Sequence, residues 1–294
     1  MRSLPGLSVR AMTALPDPIV SPAWLAERLE APDIRVIDAT WFMPSDPRDA
    51  KALYAERRIP GAIYFDIDAI ADKSTDLPHM LPSPEQFASR MRKLGIGDGM
   101  RLVIYDNAGL FSAARVWWSF RAMGHEDVVV LDGGFPAWEA AGYEIETGPP
   151  QARGERHFTA RRRADLIRDL GDMRRLTASG GPILDARPAP RFSGEAAEPR
   201  AGLRSGHMPG ALSTPSSALV NENGQLRSAA ELAAIFAAAG ADLTRAQSCT
   251  CGSGVTAAII ALALARLGRW DAAVYDGSWA EWGAQADTPV ATGA

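Results

Sequence analysis

The sequence predicts an α/β protein built from two tandem domains, each a parallel sheet with helices on both faces. Three observations lead there. Short β-branched runs alternate with helical stretches along the chain. Four features occur twice in the same order: "VIDAT" and "ILDAR", "RIPGA" and "HMPGA", "VIYDNAGLFSAARVWWSFRAMG" and "SCTCGSGVTAAIIALALARLG", "VVLDGGFPAWEAAG" and "AVYDGSWAEWGA". Between the copies lies a polar, arginine-rich stretch, Thr147–Arg163, which reads as a linker because few such residues can be buried. The domains are therefore expected at residues 16–148 and 167–294, joined by 149–166.

Five runs read as buried strands: Ile34–Thr40, Met100–Asp106, Asp127–Gly133, Gly181–Arg187 and Ala272–Ser278. Each is short, β-branched and bounded by Gly, Asp or Pro. The helical stretches are Pro22–Glu30, Pro84–Leu94, Ser112–Met123, Ala229–Ala239 and Val255–Leu267. "SCT", at Ser248–Thr250, should end a further strand.

Composition narrows the function classes. A chain of 294 residues holds about two domains of roughly 150 residues each. The net charge of −4 offers no broad basic surface for nucleic acid. No apolar run approaches the roughly 20 residues that span a bilayer, so no membrane partner is expected. The first residues lack the continuous apolar core of a secretory signal and read as a disordered extension, with Met12 an alternative start. Two cysteines cannot build a secreted disulfide framework, so the expected compartment is the reducing cytoplasm.

Both cysteines fall in "CTCGSGVTA", Cys249–Ala257. The loop Cys251–Thr256 should leave a strand's carboxyl end and enter a helix N-terminus, where open parallel sheets bind ligands. Unpaired backbone N–H groups and the positive end of the helix dipole collect there. Gly252 and Gly254 let the backbone curl so that several N–H groups point inward. Such a loop stabilises an anion at Cys251, and a thiolate is a nucleophile at neutral pH. Cys249, inside the strand, reads as a small buried hydrophobe. A C-x-C pair with no nearby His supplies no four-ligand metal set. A cysteine phosphatase would close the loop with an arginine six positions on, and that position is Ala257. The loop has no cation of its own, which suits a substrate whose charge is held elsewhere.

These motifs resemble the tandem-domain rhodanese family, and within it the loop "CGSGVTA" is similar to that of 3-mercaptopyruvate sulfurtransferases. The resemblance spans about Ile19 to Val290, with "VWWSFRAMGH" and "DARPAPRFSG" adding to it. Thiosulfate sulfurtransferases of this architecture carry basic residues straight after the cysteine, where this chain has Gly252 and Ser253. The resemblance implies that Cys251 becomes a persulfide and that Ser253 is the loop's catalytic serine. It implies that Gly252, Gly254, Val255 and Thr256 frame the substrate. It also implies that Arg191 and Arg200 hold the substrate's carboxylate and keto oxygen, work that suits the guanidinium fork. Asp68 and His79 would cross from the first domain to complete an Asp–His–Ser line. His207 would serve the turn, while His125 and His157 read as surface residues. Arg58 stands where this family commonly has His. The first-domain loop "YDNAGLFSA" has no cysteine, with Asp106 or Asn107 near the nucleophile's place, so that copy should be inactive.

The implied activity is sulfur transfer from 3-mercaptopyruvate to a thiol acceptor such as thioredoxin, or to cyanide, without metal or organic cofactor. Three other readings stand beside it. One is thiosulfate sulfurtransfer. Another is a non-catalytic sulfur-carrier or sensor module. The third is redox control through a strained Cys249–Cys251 disulfide, which an extended C-x-C pair closes poorly.

Overall fold

The computed structural model describes residues 17–151 and 153–293. The extension at residues 1–11 and its alternative start, Met12, lie outside them. The first unit runs β1 (Ile19–Val20), α1 (Pro22–Ala26), β2 (Ile34–Asp38), α2 (Ala50–Glu56), β3 (Ile63–Tyr64), α3 (Ile67–Ile70), α4 (Pro84–Lys93), β4 (Arg101–Tyr105), α5 (Ala113–Ala122), β5 (Val128–Leu131) and α6 (Gly134–Ala140). A single 3-10 turn, Ala164–Leu166, precedes the second unit. That unit runs β6 (Ile167–Arg168), α7 (Leu170–Ala178), β7 (Ile183–Asp185), α8 (Ala189–Ser193), β8 (Leu212–Ser213), α9 (Ser216–Leu219), α10 (Ala229–Ala238), β9 (Ser248–Thr250), α11 (Ala257–Arg266), β10 (Ala273–Tyr275) and α12 (Ser278–Trp282).

Each unit forms one five-stranded sheet, ordered β1-β5-β4-β2-β3 and β6-β10-β9-β7-β8. All pairings within the two sheets are parallel. The shared order is the structural form of the sequence repeat. Central strands are longer than the edges because they are paired and covered on both sides. The two-residue edge strands carried too little pattern to be predicted. Expected strands also shorten by a residue or two at each end where the chain turns into loops. Helix α1 stops at Ala26 rather than Glu30. The helix after the cysteine loop begins at Ala257, leaving Val255 and Thr256 in the loop.

Helices α5 and α11 sit between the two sheets and pack on each other. Every residue of α5 is buried, including Arg115 and Arg121, as are all residues of α11 except its last. A helix apolar on all sides belongs in a core, and one continuous core reaches from Ile37 and Ile104 of the first sheet to Leu184 and Cys249 of the second. The indole N–H groups of Trp117 and Trp118 donate to the carbonyls of Val128 and Leu166, satisfying the polar ends of two fully buried rings.

The stretch Thr147–Arg163 is less free than its composition suggests. Phe158 is buried against Phe87, Phe120 and His125, and Thr159 is tied to Asp98 through N–H and hydroxyl. His125, expected at the surface, is part of this packing, and its Nε2 meets the Met100 carbonyl. Burial lowers its pKa. His157 is exposed. His207 is buried, stacked 3.8 Å from Phe192 and bonded through Nδ1 to the Phe192 carbonyl, which fits a role at the turn. Arg58 is also buried, paired with Glu146 at 2.5 Å.

The register matches Asp38 of β2 with Asp185 of β7, since they pair with Tyr105 and Thr250 at the ends of β4 and β9. Asp185 is neutralised by Arg187 at 2.7 Å. Asp38 has Thr40 in that place, and burial pushes its carboxyl up to about 6 against the bonds from Thr40. A carboxyl raised in the fold binds its proton more tightly there than in the unfolded chain, so stability falls as pH rises from about 4 to about 6. Asp38→Asn should match wild type near pH 4 and exceed it by about 3 kcal/mol at pH 7. Denaturant unfolding of both proteins across that range measures the difference, and parallel curves would contradict it.

Candidate active site

The loop between β9 and α11 is turned by its neighbours. The backbone N–H groups of Trp279 and Ala280 donate to the carbonyls of Cys251 and Gly252, both at 2.9 Å. The Ser278 hydroxyl accepts from the Cys251 N–H at 3.2 Å and donates to the Tyr275 carbonyl at 2.8 Å. With two loop carbonyls drawn toward α12, amides are free to face inward, and the Gly254 N–H donates to Cys251 Sγ at 3.1 Å. Cys251 is 2% exposed. Gly254 has φ +79°, a left-handed conformation that favours glycine.

Cys251, Gly252, Ser253, Val255 and Thr256 floor a cleft of about 220 Å³. One wall is cationic and comes from the second unit: Arg187, Arg191 and Arg200. The other is apolar and comes from the first: Trp41, Met43 and Phe111. Trp41 and Phe111 are stacked at 6.0 Å. Gly254 supports the floor from outside the lining set. Wider surface clefts exist, among them one lined by Arg35, Arg153 and Arg156, but no cysteine lines those described.

The cationic wall is a ladder of alternating charge. Arg187 pairs with Asp185 at 2.7 Å and with Glu198 at 2.8 Å. Glu198 in turn takes Arg191 through Nε at 3.2 Å and Nη2 at 2.5 Å. The carboxylates of Asp185 and Glu198 are almost wholly buried, so each is compensated by guanidinium. This leaves the Nη1 end of Arg191 for a ligand. A side chain at Gly252 would begin 3.0 Å from Arg191 Nη2, so the missing side chain is what lets that guanidinium lie over the loop.

Asp68 and His79 do come together: His79 Nδ1 lies 2.7 Å from Asp68 Oδ1, and the Trp41 indole N–H donates to Asp68 Oδ2 at 2.8 Å. The bond from His79, with that from Trp41, holds the Asp68 carboxyl below its usual range. The expected third link is not formed. His79 Nε2 is buried without a hydrogen-bond partner among the described residues. The imidazole does not line the cleft. Trp41 does, packed edge-on to the ring at 4.9 Å.

In the first unit, Asp106 holds the position of Cys251, directly after the strand residue that pairs with Asp38. Its carboxylate accepts backbone N–H bonds from Ala108, Phe111 and Ala113, each at 2.8 Å. That loop is an anion cradle filled by its own side chain. Cys249 is fully buried in β9, and burial raises its thiol far above the usual range. Both cysteines are free thiols.

A model of the rhodanese-like domain matches residues 21–141 and again 169–285. The 3-mercaptopyruvate sulfurtransferase of Escherichia coli K12 is 44% identical over 271 residues, covering 91% of this chain and 95% of the relative. An Arabidopsis thaliana protein named "Thiosulfate/3-mercaptopyruvate sulfurtransferase 1, mitochondrial" is 39% identical over 302 residues, covering 93% and 78%. The crystal structure of the E. coli 3-mercaptopyruvate sulfurtransferase SseA superposes with a TM-score of 0.82 at 40% identity, covering 90% of this chain and all of that one. The chain belongs to the tandem-domain rhodanese family.

Several rhodanese-site residues carried no local sequence signal. Trp41, Met43 and Phe111 reach the cleft from two separate loops, and only the fold joins them. Glu198 stood inside "RFSGEAAEPR" but looked like any surface acid. Arg115 is one of two arginines in a helix that is buried along its whole length.

Replacing Gly254 with Ala would place Cβ 2.8 Å from Arg115 Nη1 and 2.8 Å from the Asp276 carbonyl, at a positive φ. Gly254→Ala should lower kcat/KM at least about tenfold and stability by about 1–3 kcal/mol. Gly240→Ala, with φ +78° but open space around it, controls for the backbone strain alone and should retain full activity. Steady-state kinetics and thermal melts of the two variants make the comparison.

Proposed function

We propose that this rhodanese-family protein is a 3-mercaptopyruvate sulfurtransferase. The observation that carries the reading is a cysteine nucleophile set in a loop without cations, beside arginines that enter from a separate wall. A sulfur donor is thus held by a carboxylate at a distance from the sulfur, as in an α-keto acid, rather than by charge at the sulfur itself.

Arg191, through the end of its guanidinium that Glu198 leaves free, and Arg200 hold the carboxylate and keto oxygen. Gly252, Gly254, Val255 and Thr256 shape the floor. The Cys251 thiolate attacks the substrate sulfur. An S–S bond forms, the C–S bond breaks, and its electron pair passes into an enolate conjugated with the keto group. Protonation of the enolate carbon releases pyruvate, and Cys251 remains as Cys–S–SH. Asp68 fixes the His79 ring so that Nε2 is the nitrogen available for proton exchange, with Ser253 between it and the substrate. That relay needs His79 or Ser253 to move when substrate enters, since Nε2 has no hydrogen-bond partner among the described residues. The Gly254 N–H, already on Sγ, stabilises the sulfur anion in the free enzyme. A dithiol protein such as thioredoxin, a small thiol or cyanide then attacks the outer sulfur and returns the thiolate. The chemistry calls for no cofactor, and the reducing cytoplasm suits it. Among the described residues no helix is long and apolar enough to cross a membrane.

The substrate reading is tested by pyruvate release from 3-mercaptopyruvate beside sulfite release from thiosulfate, with one acceptor and with Cys251→Ser as control. A kcat/KM at least about tenfold higher for 3-mercaptopyruvate is expected, about 1.4 kcal/mol of transition-state preference. Preference for thiosulfate would overturn the argument from the neutral loop. Absence of Cys251-dependent turnover of either would leave a binding module in its place.

A further inference from the structure

The duplication supplies an internal comparison that points to a positioning residue, Arg115. The turn that carries His79 has a counterpart in the second unit. Leu81 precedes the capping box Ser83–Gln86, and Leu226 precedes the capping box Ser228–Glu231. The Leu81 N–H donates to Asp276 at 2.8 Å, and the Leu226 N–H donates to Asp132 at 3.0 Å, so each turn is held by the opposite unit through the Asp of the repeated "DG". Two residues upstream stand His79, with φ +61°, and Gly224, with φ +72°. The active half-site thus places a histidine where the inactive half has glycine in the same left-handed conformation.

The two half-sites differ in what lies between turn and loop. In the inactive one, Gly109 and Gly224 meet backbone to backbone: a Cβ on Gly109 would fall 2.7 Å from the Gly224 Cα. In the active one, a Cβ on Gly254, the counterpart of Gly109, would meet Arg115 instead. Arg115 is the third residue of α5, and Ile259 is the third residue of α11. The buried Arg115 guanidinium donates through Nη2 to the His79 carbonyl and through Nη1 to the Gly254 carbonyl at 3.3 Å. It pairs with Asp276 at 2.6 Å, both groups buried.

We propose that Arg115 is a positioning residue: its guanidinium, compensated by Asp276, replaces the direct backbone contact of the inactive half-site and sets His79 and the Cys251 loop in register across the domain boundary. The same residue, Gly254, is held by Arg115 at its carbonyl and donates its N–H to Cys251 Sγ. His79 sits in a backbone conformation that non-glycine residues seldom adopt and that needs an outside hold. Arg115 provides it. Lysine keeps the charge but not the fork that reaches two carbonyls at once.

This inference rests on the sulfurtransferase reading for its kinetic arm alone. Arg115→Lys should lower kcat for 3-mercaptopyruvate at least about tenfold while KM changes less than about threefold. In a His79→Asn background the same change should cost at least about threefold less than in wild type, because one of the two groups that Arg115 positions is already gone. Asp276→Asn breaks the pair from the other side and should behave alike if Arg115→Lys folds poorly. The spectroscopic arm needs no substrate: the His79 imidazole resonance, assigned by its loss in His79→Asn, should shift in both variants. An unmoved His79 resonance, or an equal loss of kcat with and without His79, overturns the proposal. Absent wild-type turnover would remove the sulfurtransferase reading and leave the resonance to decide this one.

Discussion

The packing of α5 on α11 is the constraint on which the rest of the molecule depends. Each helix follows the loop at the end of a central strand, and each is covered by the other unit, with α5 buried along its whole length and α11 up to its last residue. Burying the two helices against one another turns the carboxyl ends of both sheets toward a shared boundary. Cys251 of one unit thereby shares a cleft with Trp41 of the other, which bonds to Asp68 and packs against His79. Hydrophobic burial of this kind is non-directional and sets proximity, not register. Register comes from the few polar groups left inside the boundary, above all Arg115 and Asp276, which cannot remain buried unless they meet.

The two loops show one backbone device put to two uses. At the end of β4 the amides close on Asp106, a carboxylate belonging to the loop itself, and the site is full. At the end of β9 a cysteine takes the same place, with an N–H donor on its sulfur and a cleft above it. Burial pushes the Asp106 carboxyl up while the amide bonds pull it down, and burial prevails. A cradle that tolerates a buried carboxylate is a reasonable seat for a sulfur anion in the matching loop. The two loops therefore share a backbone frame and differ in the side chain it encloses, Asp106 in one half and Cys251 in the other.

The cleft is divided by origin. Its cations all come from the second unit and its aromatic wall from the first, so neither unit holds a complete site. The ladder Asp185–Arg187–Glu198–Arg191 carries no net charge, yet it leaves one guanidinium end at the cleft beside Cys251. Asp185 and Glu198 are what allow two arginines to be so close together in a buried wall. Trp41 links the apolar wall to the Asp68–His79 pair: its ring forms part of the cleft while its N–H is spent on Asp68.

The duplication, the parallel-sheet class and the glycine loop around Cys251 were legible in the sequence because each is written in contiguous residues. Strand and helix periodicity, the paired "DG" and "PG" turns, and a glycine loop after a strand are all local signals. Asp68, His79, Arg191 and Arg200 were singled out only through resemblance to a family, since nothing in their neighbourhoods distinguishes them from surface charges. The structure added what depends on side chains far apart in the chain: the Trp41–Phe111 wall, the Glu198 clamp on Arg191, and Phe158 and His125 packed where a free linker and a surface histidine were expected. It also left His79 Nε2 short of the Ser253 hydroxyl, a distance that sequence cannot express. Local pattern determined which elements form and that Cys251 sits in a glycine loop between a strand and a helix. Tertiary packing alone decided which charges face it, because burial and hydrogen-bond partners are properties of the assembled boundary and not of any one segment.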